Sequence, residues 1–137
     1  MNVHECVSFI LVKDEQVLLE TRAKDKATDP GVVAIPGGHL ELDETQQQAL
    51  YRELKEELNI IPQSFVYLCS LYHPTTTELQ LLHYYVIPKW DGEIECYEAE
   101  SVAWYSPINS PVGTEVDRIA LKEYLRLKNT FSSILNE

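Results

Sequence analysis

The chain opens with two apolar runs separated by a short polar break. Val3 to Lys13 is rich in β-branched and aromatic residues with imperfect alternation, and Gln16 to Thr21 resumes the same pattern after Asp14 and Glu15. Runs of this composition are typical of β-strands. The pattern therefore predicts a hairpin that turns around Lys13 to Glu15.

A polar stretch without apolar periodicity follows, and it predicts a surface loop over residues 22–29. Val32 to Ile35 then gives a short apolar run that leads into Pro36-Gly37-Gly38. A tight passage of the backbone is expected there, because two glycines after a proline permit a positive φ and allow another group to approach the main chain closely, whereas a plain turn is the alternative.

The next stretch has helical periodicity. It predicts a helix that begins near Glu44 or Thr45 and ends at Leu58, with Asp43 as the N-cap. Asn59 suits the left-handed conformation that often closes a helix. One side of the helix carries leucines at four-residue spacing, Leu50, Leu54 and Leu58. This apolar stripe is expected to pack against a sheet.

The second half of the chain repeats the same kinds of elements. Phe65 to Tyr72 and Leu79 to Ile87 predict an antiparallel strand pair, and Val102 to Tyr105 predicts one more strand. A final amphipathic helix is expected from about Thr114 to Lys128. Strands alternating with two helices predict an α/β fold, with a mixed β-sheet covered by helices on both faces.

Length and composition predict a single domain over residues 1–137, because 137 residues of which 45% are hydrophobic can bury one core. The longest apolar run is too short to span a bilayer, so no membrane association is expected. The three cysteines are odd in number and have no CxxC spacing. Reduced cysteines and a cytoplasmic location are therefore expected.

The charge balance argues against a nucleic-acid polymer as a partner. The formal net charge is −11, from 22 acidic residues against 11 lysines and arginines, whereas a surface that follows a nucleic-acid backbone is basic. A small phosphate ligand remains compatible with this charge when a divalent cation accompanies it.

Three carboxylates give the first indication of chemistry. Glu53, Glu56 and Glu57 fall within roughly 100° of arc on the predicted helix, where they repel one another. A divalent cation removes this repulsion, and Mg²⁺ prefers oxygen ligands from carboxylates and substrate phosphates. The helix is therefore a candidate metal site.

The spacing around these acids resembles the signature of the Nudix hydrolases, G-x5-E-x7-R-E-U-x-E-E-x-G-U, where U is an apolar residue. Eight of the nine specified positions are filled, by Gly38, Glu44, Arg52, Glu53, Leu54, Glu56, Glu57 and Ile60. Asn59 replaces the late glycine, which affects only the end of the helix because asparagine tolerates a positive φ.

This resemblance implies an α/β/α sandwich with the Nudix box at residues 38–60, and a hydrolase that splits a nucleoside diphosphate linked to another group X. It implies Mg²⁺, with Mn²⁺ as a substitute, held by Glu53, Glu56 and Glu57 and by the main-chain carbonyl of Gly38. The stretch of the chain outside the box matches the family more loosely, through the order of strands and helices.

The resemblance also implies roles for the other acids and for the box arginine. Arg52 would orient a neighbouring glutamate such as Glu44 or Glu53. The general base would be Glu57 or Glu53, or else a loop glutamate, for which Glu98 is best placed in the segment EAESVAW. Glu95 and Glu100 remain alternatives for the loop position.

The substrate is less constrained than the chemistry. The small size favours a MutT-type enzyme that converts a nucleoside triphosphate, including an oxidised one, to the monophosphate and pyrophosphate. ADP-ribose, another nucleotide-sugar or coenzyme A is the alternative, and a non-catalytic nucleotide-sensing module is a further one. Candidate substrate contacts are Arg22 for a phosphate and Tyr72, His83 and Tyr85 for a base. The resemblance also implies a homodimer as a partner state.

Overall fold

The computed structural model describes the backbone of residues 2–135 and the side chains of residues 2–133. The predicted domain, residues 1–137, includes Met1, Asn136 and Glu137, which lie outside the described residues. The described part contains β1 (Val3–Lys13), β2 (Gln16–Thr21), β3 (Val33–Ala34), β4 (Gly37–His39), α1 (Gln46–Leu58), β5 (Ile61–Pro74), β6 (Leu79–Asp91), β7 (Ser101–Tyr105) and α2 (Glu115–Leu135).

β1 is the strand from which the sheet is organised. It pairs in parallel with β6 over Val3 to Leu11, and β5 continues this side as the antiparallel partner of β6. Along its other edge, Cys6 to Ser8 pair with β4, while Val12 and Lys13 pair with β2. β2 also pairs with β3 and β7. The sheet is therefore mixed, as predicted.

The two helices lie on opposite faces of this sheet. Because successive side chains of a strand point to opposite faces, Cys6 and Ile10 of β1 pack in the core that contains α2. Val7, Phe9 and Leu11 pack in the core that contains α1. The predicted α/β/α sandwich is confirmed.

Both predicted hairpins are present. Asp14 and Glu15 have φ values of 52° and 61°, which is the conformation of a two-residue type I′ turn between β1 and β2. β6 continues through Pro88 to Asp91, beyond the predicted end. The pairing register shifts there between Ser64↔Lys89 and Val66↔Val86, so Pro88 lies in a bulge, where no ladder hydrogen bond is lost.

The start of α1 differs from the prediction, whereas its end agrees with it. Thr45, not Asp43, is the N-cap: its side chain accepts from the Gln48 N–H, and the Gln48 side chain accepts from the Thr45 N–H. Asp43 has a positive φ of 61° and lies in the preceding turn. The left-handed conformation of Asn59 is confirmed, with φ 62° and ψ 36°.

α2 is longer than the predicted helix and continues to Leu135. Phe131 packs at the border of the α2 core, so the apolar side of the helix extends beyond the predicted end at Lys128. Although α2 has 21 residues, no helix in residues 2–135 is both long and apolar enough to cross a membrane.

The leucine stripe of α1 is fully buried, so shortening it should destabilise the fold. Leu54 is 0% exposed, and the Leu54→Ala variant is expected to lose about 2–5 kcal/mol of unfolding free energy because of the lost burial and the cavity. Urea denaturation measures the loss. Leu42→Ala is the matched control, because Leu42 is 93% exposed. An equal effect of both substitutions would contradict the packing.

Candidate active site

A cleft of about 560 Å³ opens where β4, the second half of α1 and the start of α2 meet. Loop segments after β2 and before β7 complete its walls. Seven residues predicted from the sequence line it, namely Arg22, Gly38, Arg52, Glu53, Glu56, Glu57 and Glu98. The structure therefore brings the Nudix-box acids and one loop glutamate into a single cavity.

Arg52 is the centre of the hydrogen bonds on the acidic side of the cleft. Its guanidinium donates two bonds to Glu44, of 2.7 and 2.8 Å, and one each to Glu53 at 3.0 Å and Glu56 at 3.1 Å. It also donates to the His39 carbonyl oxygen at 2.9 Å. These bonds keep the pKa of Glu44 below its ordinary range. Arg52 thus fixes the orientation of three glutamates at once.

Gly38 is needed for the close approach of β4 to α1. A Cβ atom at this position would overlap the carboxyl group of Glu53. Neither glycine uses the positive φ that its residue type permits, because Gly37 and Gly38 form the extended strand β4 and are paired with β1. Gly38 thus allows the Glu53 side chain to lie against the main chain, and Gly37 allows the backbone of β1 to come close.

Burial strongly perturbs the carboxyl group of Glu57. Burial raises its pKa to about 9, and the nearby charges of Glu20 and Glu53, together with a hydrogen bond that the protonated Glu57 donates to Glu98, act in the same direction. Burial also raises the pKa of Glu53, although Arg52 opposes that shift. Without a cation, these buried acids therefore resist ionisation.

The position of Glu98 follows from the anchoring of its loop. The N–H groups of Glu95 and Tyr97 donate to the carbonyl oxygens of Leu58 and Glu57 at the end of α1, at 2.9 and 3.1 Å. These bonds satisfy carbonyls that a helix end leaves free, and they hold Glu98 beside Glu57. The alternative loop glutamates do not line the cleft.

Glu20 is a member of the acidic cluster that the sequence reasoning missed. It is 5% exposed, and burial raises its pKa to about 7, although Arg22 and Lys26 oppose the shift. Its charge also acts on Glu57. A signal was available, because alternation in β2 places Glu20 on the same face as the buried Leu18.

The loop after β2 brings two more cationic side chains to the cleft, Arg22 and Lys26. Arg22 donates to the carbonyl and hydroxyl oxygens of Thr28, both at 3.1 Å, and lies 3.5 Å from Glu20. Lys26 also lines the cavity. Arg22 therefore lies in the cavity, with its guanidinium partly engaged by its own loop.

The cleft has an apolar wall that contains one buried acid. Cys6, Ile35 and Leu82 contribute the apolar surface. Asp117 is 4% exposed and accepts hydrogen bonds from the Tyr84 hydroxyl at 2.6 Å and the Ile35 N–H at 2.9 Å. Asp117 was not among the predicted site residues, although an acid next to Val116 on the apolar side of a helix was a visible signal.

Three predicted substrate contacts lie away from this cleft. Tyr72 is 62% exposed on β5. Tyr85 packs at the α1 core and donates to Gln46 at 2.6 Å. His83 lies on the same face of β6 as Tyr85, and it contacts Glu5. The cavity instead uses the opposite face of β6, through Leu82. The sequence did not show which face of its strand each of these side chains occupies.

The residues present suit a hard divalent cation. Glu53, Glu56 and Glu57 offer carboxylate oxygens of the type that Mg²⁺ and Mn²⁺ prefer, and Gly38 brings main chain against one of them. Among the described residues, these three do not all place ligand oxygens within 4.8 Å of one another. Arg52 contacts two of the three.

The fold and the spacing of the box define the class of the Nudix hydrolases, enzymes that act on acid anhydrides. A family model described as the NUDIX domain matches residues 3–122, and the chain belongs to this family. The CTP pyrophosphohydrolase of Escherichia coli (strain K12) is 33% identical over 107 residues, which are 78% of this chain and 78% of that protein.

Two further comparisons agree with this assignment. The 8-oxo-dGTP diphosphatase of the same organism is 29% identical over 123 residues, covering 82% of this chain and 95% of that protein. The crystal structure of a MutT NUDIX hydrolase from Burkholderia pseudomallei superposes with a TM-score of 0.81 at 26% identity, over 90% of this chain and 98% of that one.

The raised pKa values predict how the stability of the metal-free protein depends on pH. Glu20 and Glu57 keep protons in the fold up to about pH 7 and about pH 9, whereas the unfolded chain releases them near 4.5. The folded state therefore binds more protons across this window, and its stability falls as the pH rises. Thermal unfolding in EDTA from pH 5 to 9 measures the fall.

The control separates these groups from the general negative charge. Glu57→Gln should flatten the pH dependence, while Glu95→Gln, at an exposed position outside the cleft, should leave it unchanged. Added Mg²⁺ should also flatten it, because a bound cation favours the ionised carboxylates. A stability that increases with pH in EDTA would contradict the buried acid cluster.

Proposed function

We propose that the protein hydrolyses a nucleoside triphosphate, with one water, to the nucleoside monophosphate and pyrophosphate in a Mg²⁺-dependent reaction. The observation that carries the proposal is the concentration of Nudix-box carboxylates against β4, in a cleft that also has an apolar wall. The acids supply the phosphate chemistry and the wall supplies space for a nucleoside.

The metal ligands we propose are the carboxylates of Glu53, Glu56 and Glu57 and the main-chain carbonyl of Gly38. When bound, Mg²⁺ would neutralise phosphate charge and acidify the attacking water. Arg52 supports this set from outside by holding Glu53 and Glu56 at 3.0 and 3.1 Å. Its role is therefore positioning.

Glu57 is the general base we favour, with Glu98 as its partner. Arg52 contacts Glu53 directly but makes no contact with Glu57, so the Glu57 carboxylate is the better proton acceptor. In the metal-free protein, burial raises the pKa of Glu57, and the nearby Glu20, Glu53 and Glu98 act in the same direction. With Mg²⁺ bound, the Glu57 oxygen that does not hold the ion would accept the proton. Between them, the two carboxyl groups can hold the proton that the water releases.

The two ends of the cleft support a nucleotide substrate. Arg22 and Lys26 provide cations for the phosphate chain. Cys6, Ile35 and Leu82 provide an apolar surface for a base, and the buried Asp117 carboxyl provides a hydrogen-bonding group beside it. The names of the two Escherichia coli relatives describe triphosphate substrates, CTP and 8-oxo-dGTP, which favours this class over ADP-ribose or coenzyme A.

A substrate panel with Mg²⁺ tests the proposal. Canonical and oxidised nucleoside triphosphates, ADP-ribose and coenzyme A are compared by kcat/KM, and pyrophosphate release from a triphosphate is the expected result. Glu57→Gln should lower kcat about 10³-fold, the scale of a lost base or metal ligand, while Glu95→Gln should retain activity. Preferred cleavage of ADP-ribose or coenzyme A would overturn the substrate class. Tight binding without turnover would indicate a sensing module.

A further inference from the structure

We propose that His4, His39 and Glu78 form a second cation site at the rim of the cleft, separate from the Nudix-box carboxylates and suited to a transition ion such as Zn²⁺. The two imidazoles and the carboxylate each offer one ligand atom, and these atoms all lie within 4.8 Å of one another. It is the only such group among the described residues.

The three ligand atoms are close enough to converge on one ion, which would replace the present hydrogen bond between His39 and Glu78. His39 Nε2 lies 2.6 Å from Glu78 Oε2, and His4 Nδ1 lies 3.6 Å from Glu78 Oε1. The second distance is too long for a hydrogen bond, so direct pairing satisfies only one histidine. The two rings meet edge to face, with centroids 6.1 Å apart, and both direct a nitrogen towards the same carboxylate.

Three separate segments are brought together by the central pairing of the sheet. His4 lies on β1, and His39 lies on β4 opposite Cys6. Glu78 precedes β6 in a turn that Thr75 closes, because the Thr75 hydroxyl accepts from the Glu78 N–H at 3.0 Å and donates to the Glu78 carbonyl at 2.8 Å. The ligand positions are therefore set by backbone pairing and by a closed turn.

The choice of ion follows from the donors. Imidazole nitrogens suit Zn²⁺, Cu²⁺, Fe²⁺ and Ni²⁺, whereas Mg²⁺ takes oxygen ligands. Two histidines and one glutamate are also a known zinc ligand set, with a fourth position left open to water or substrate. This chemistry differs from that of the all-oxygen Nudix box.

The surroundings attract a cation and allow it to enter. The side chains of His4 and His39 are 48% and 51% exposed. A shallow second cleft beside them is lined by the acids Glu5, Glu41, Asp43 and Glu44, in a chain of formal net charge −11. Acidic walls raise the local concentration of cations.

The site would act on the catalytic cleft through β4. The His39 carbonyl accepts from Arg52 at 2.9 Å, and the preceding residue is Gly38. An ion held by His39, His4 and Glu78 would fix β4 to β1 and to the turn before β6. It would therefore restrain the strand against which the Nudix-box acids pack.

Histidine side-chain NMR tests the site directly, because the chain has four histidines and two of them serve as internal controls. The full chain, labelled with ¹⁵N-histidine and saturated with Mg²⁺, is titrated with ZnCl₂. At one equivalent, the resonances of His4 and His39 should shift, with the metal on Nδ1 of His4 and on Nε2 of His39. His73 and His83 should stay unshifted.

Variants measured by calorimetry in the same Mg²⁺ buffer support the assignment. The double variant His4→Gln/His39→Gln should lower Zn²⁺ affinity at least about tenfold, while His73→Gln should retain it. Cys96→Ser removes the exposed thiol and should also retain it. Unshifted His4 and His39 at one equivalent, or full affinity in the double variant, would overturn the proposal.

Discussion

The contact between Arg52 and its carboxylates is the interaction on which the rest of the cleft depends. A single guanidinium holds Glu44 by two bonds and Glu53 and Glu56 by one each. Without a fixed cation among them, acids at this density would turn towards water or take up protons. Because Arg52 cannot lose its charge, it orients the acids at any physiological pH.

The surrounding fold places Arg52 and its carboxylates close enough for this contact. The leucine stripe anchors α1 on the sheet, and Gly38 lets β4 lie directly against Glu53. The loop before β7 binds the last carbonyls of α1 through Glu95 and Tyr97, which adds Glu98 to the cluster. Helix, strand and loop thus converge on one group of acids, and the apolar wall lies beside it.

Local patterns predicted much of this structure. The strand runs, the two hairpins, the leucine stripe and the left-handed Asn59 depend on neighbouring residues, and the structure confirms them. The Nudix-box acids share a cleft because one helix carries them at a fixed spacing. The prediction of Asp43 as the N-cap was wrong. Asp43 and Thr45 are both suitable caps, and only the capping box with Gln48 distinguishes them.

Features that depend on long-range placement were not predicted. Glu20 and Asp117 reach the cleft from a strand and a helix that are distant in sequence, and each was hidden within an apolar element. Tyr72, His83 and Tyr85 were chosen for residue type, whereas their position depends on which face of β5 or β6 they occupy. That face is set by the pairing of β6 with β1 and of β5 with β6, which the sequence alone does not specify.

The location of a bound metal ion tests the account most directly. Crystals of the protein grown with Mn²⁺ and a nucleoside triphosphate analogue that resists hydrolysis would be measured at a wavelength where manganese scatters anomalously. The account predicts a peak in contact with Glu53, Glu56 and Glu57 and near the Gly38 carbonyl, with phosphate oxygens completing the coordination. A saturated crystal without a peak at these carboxylates would contradict it.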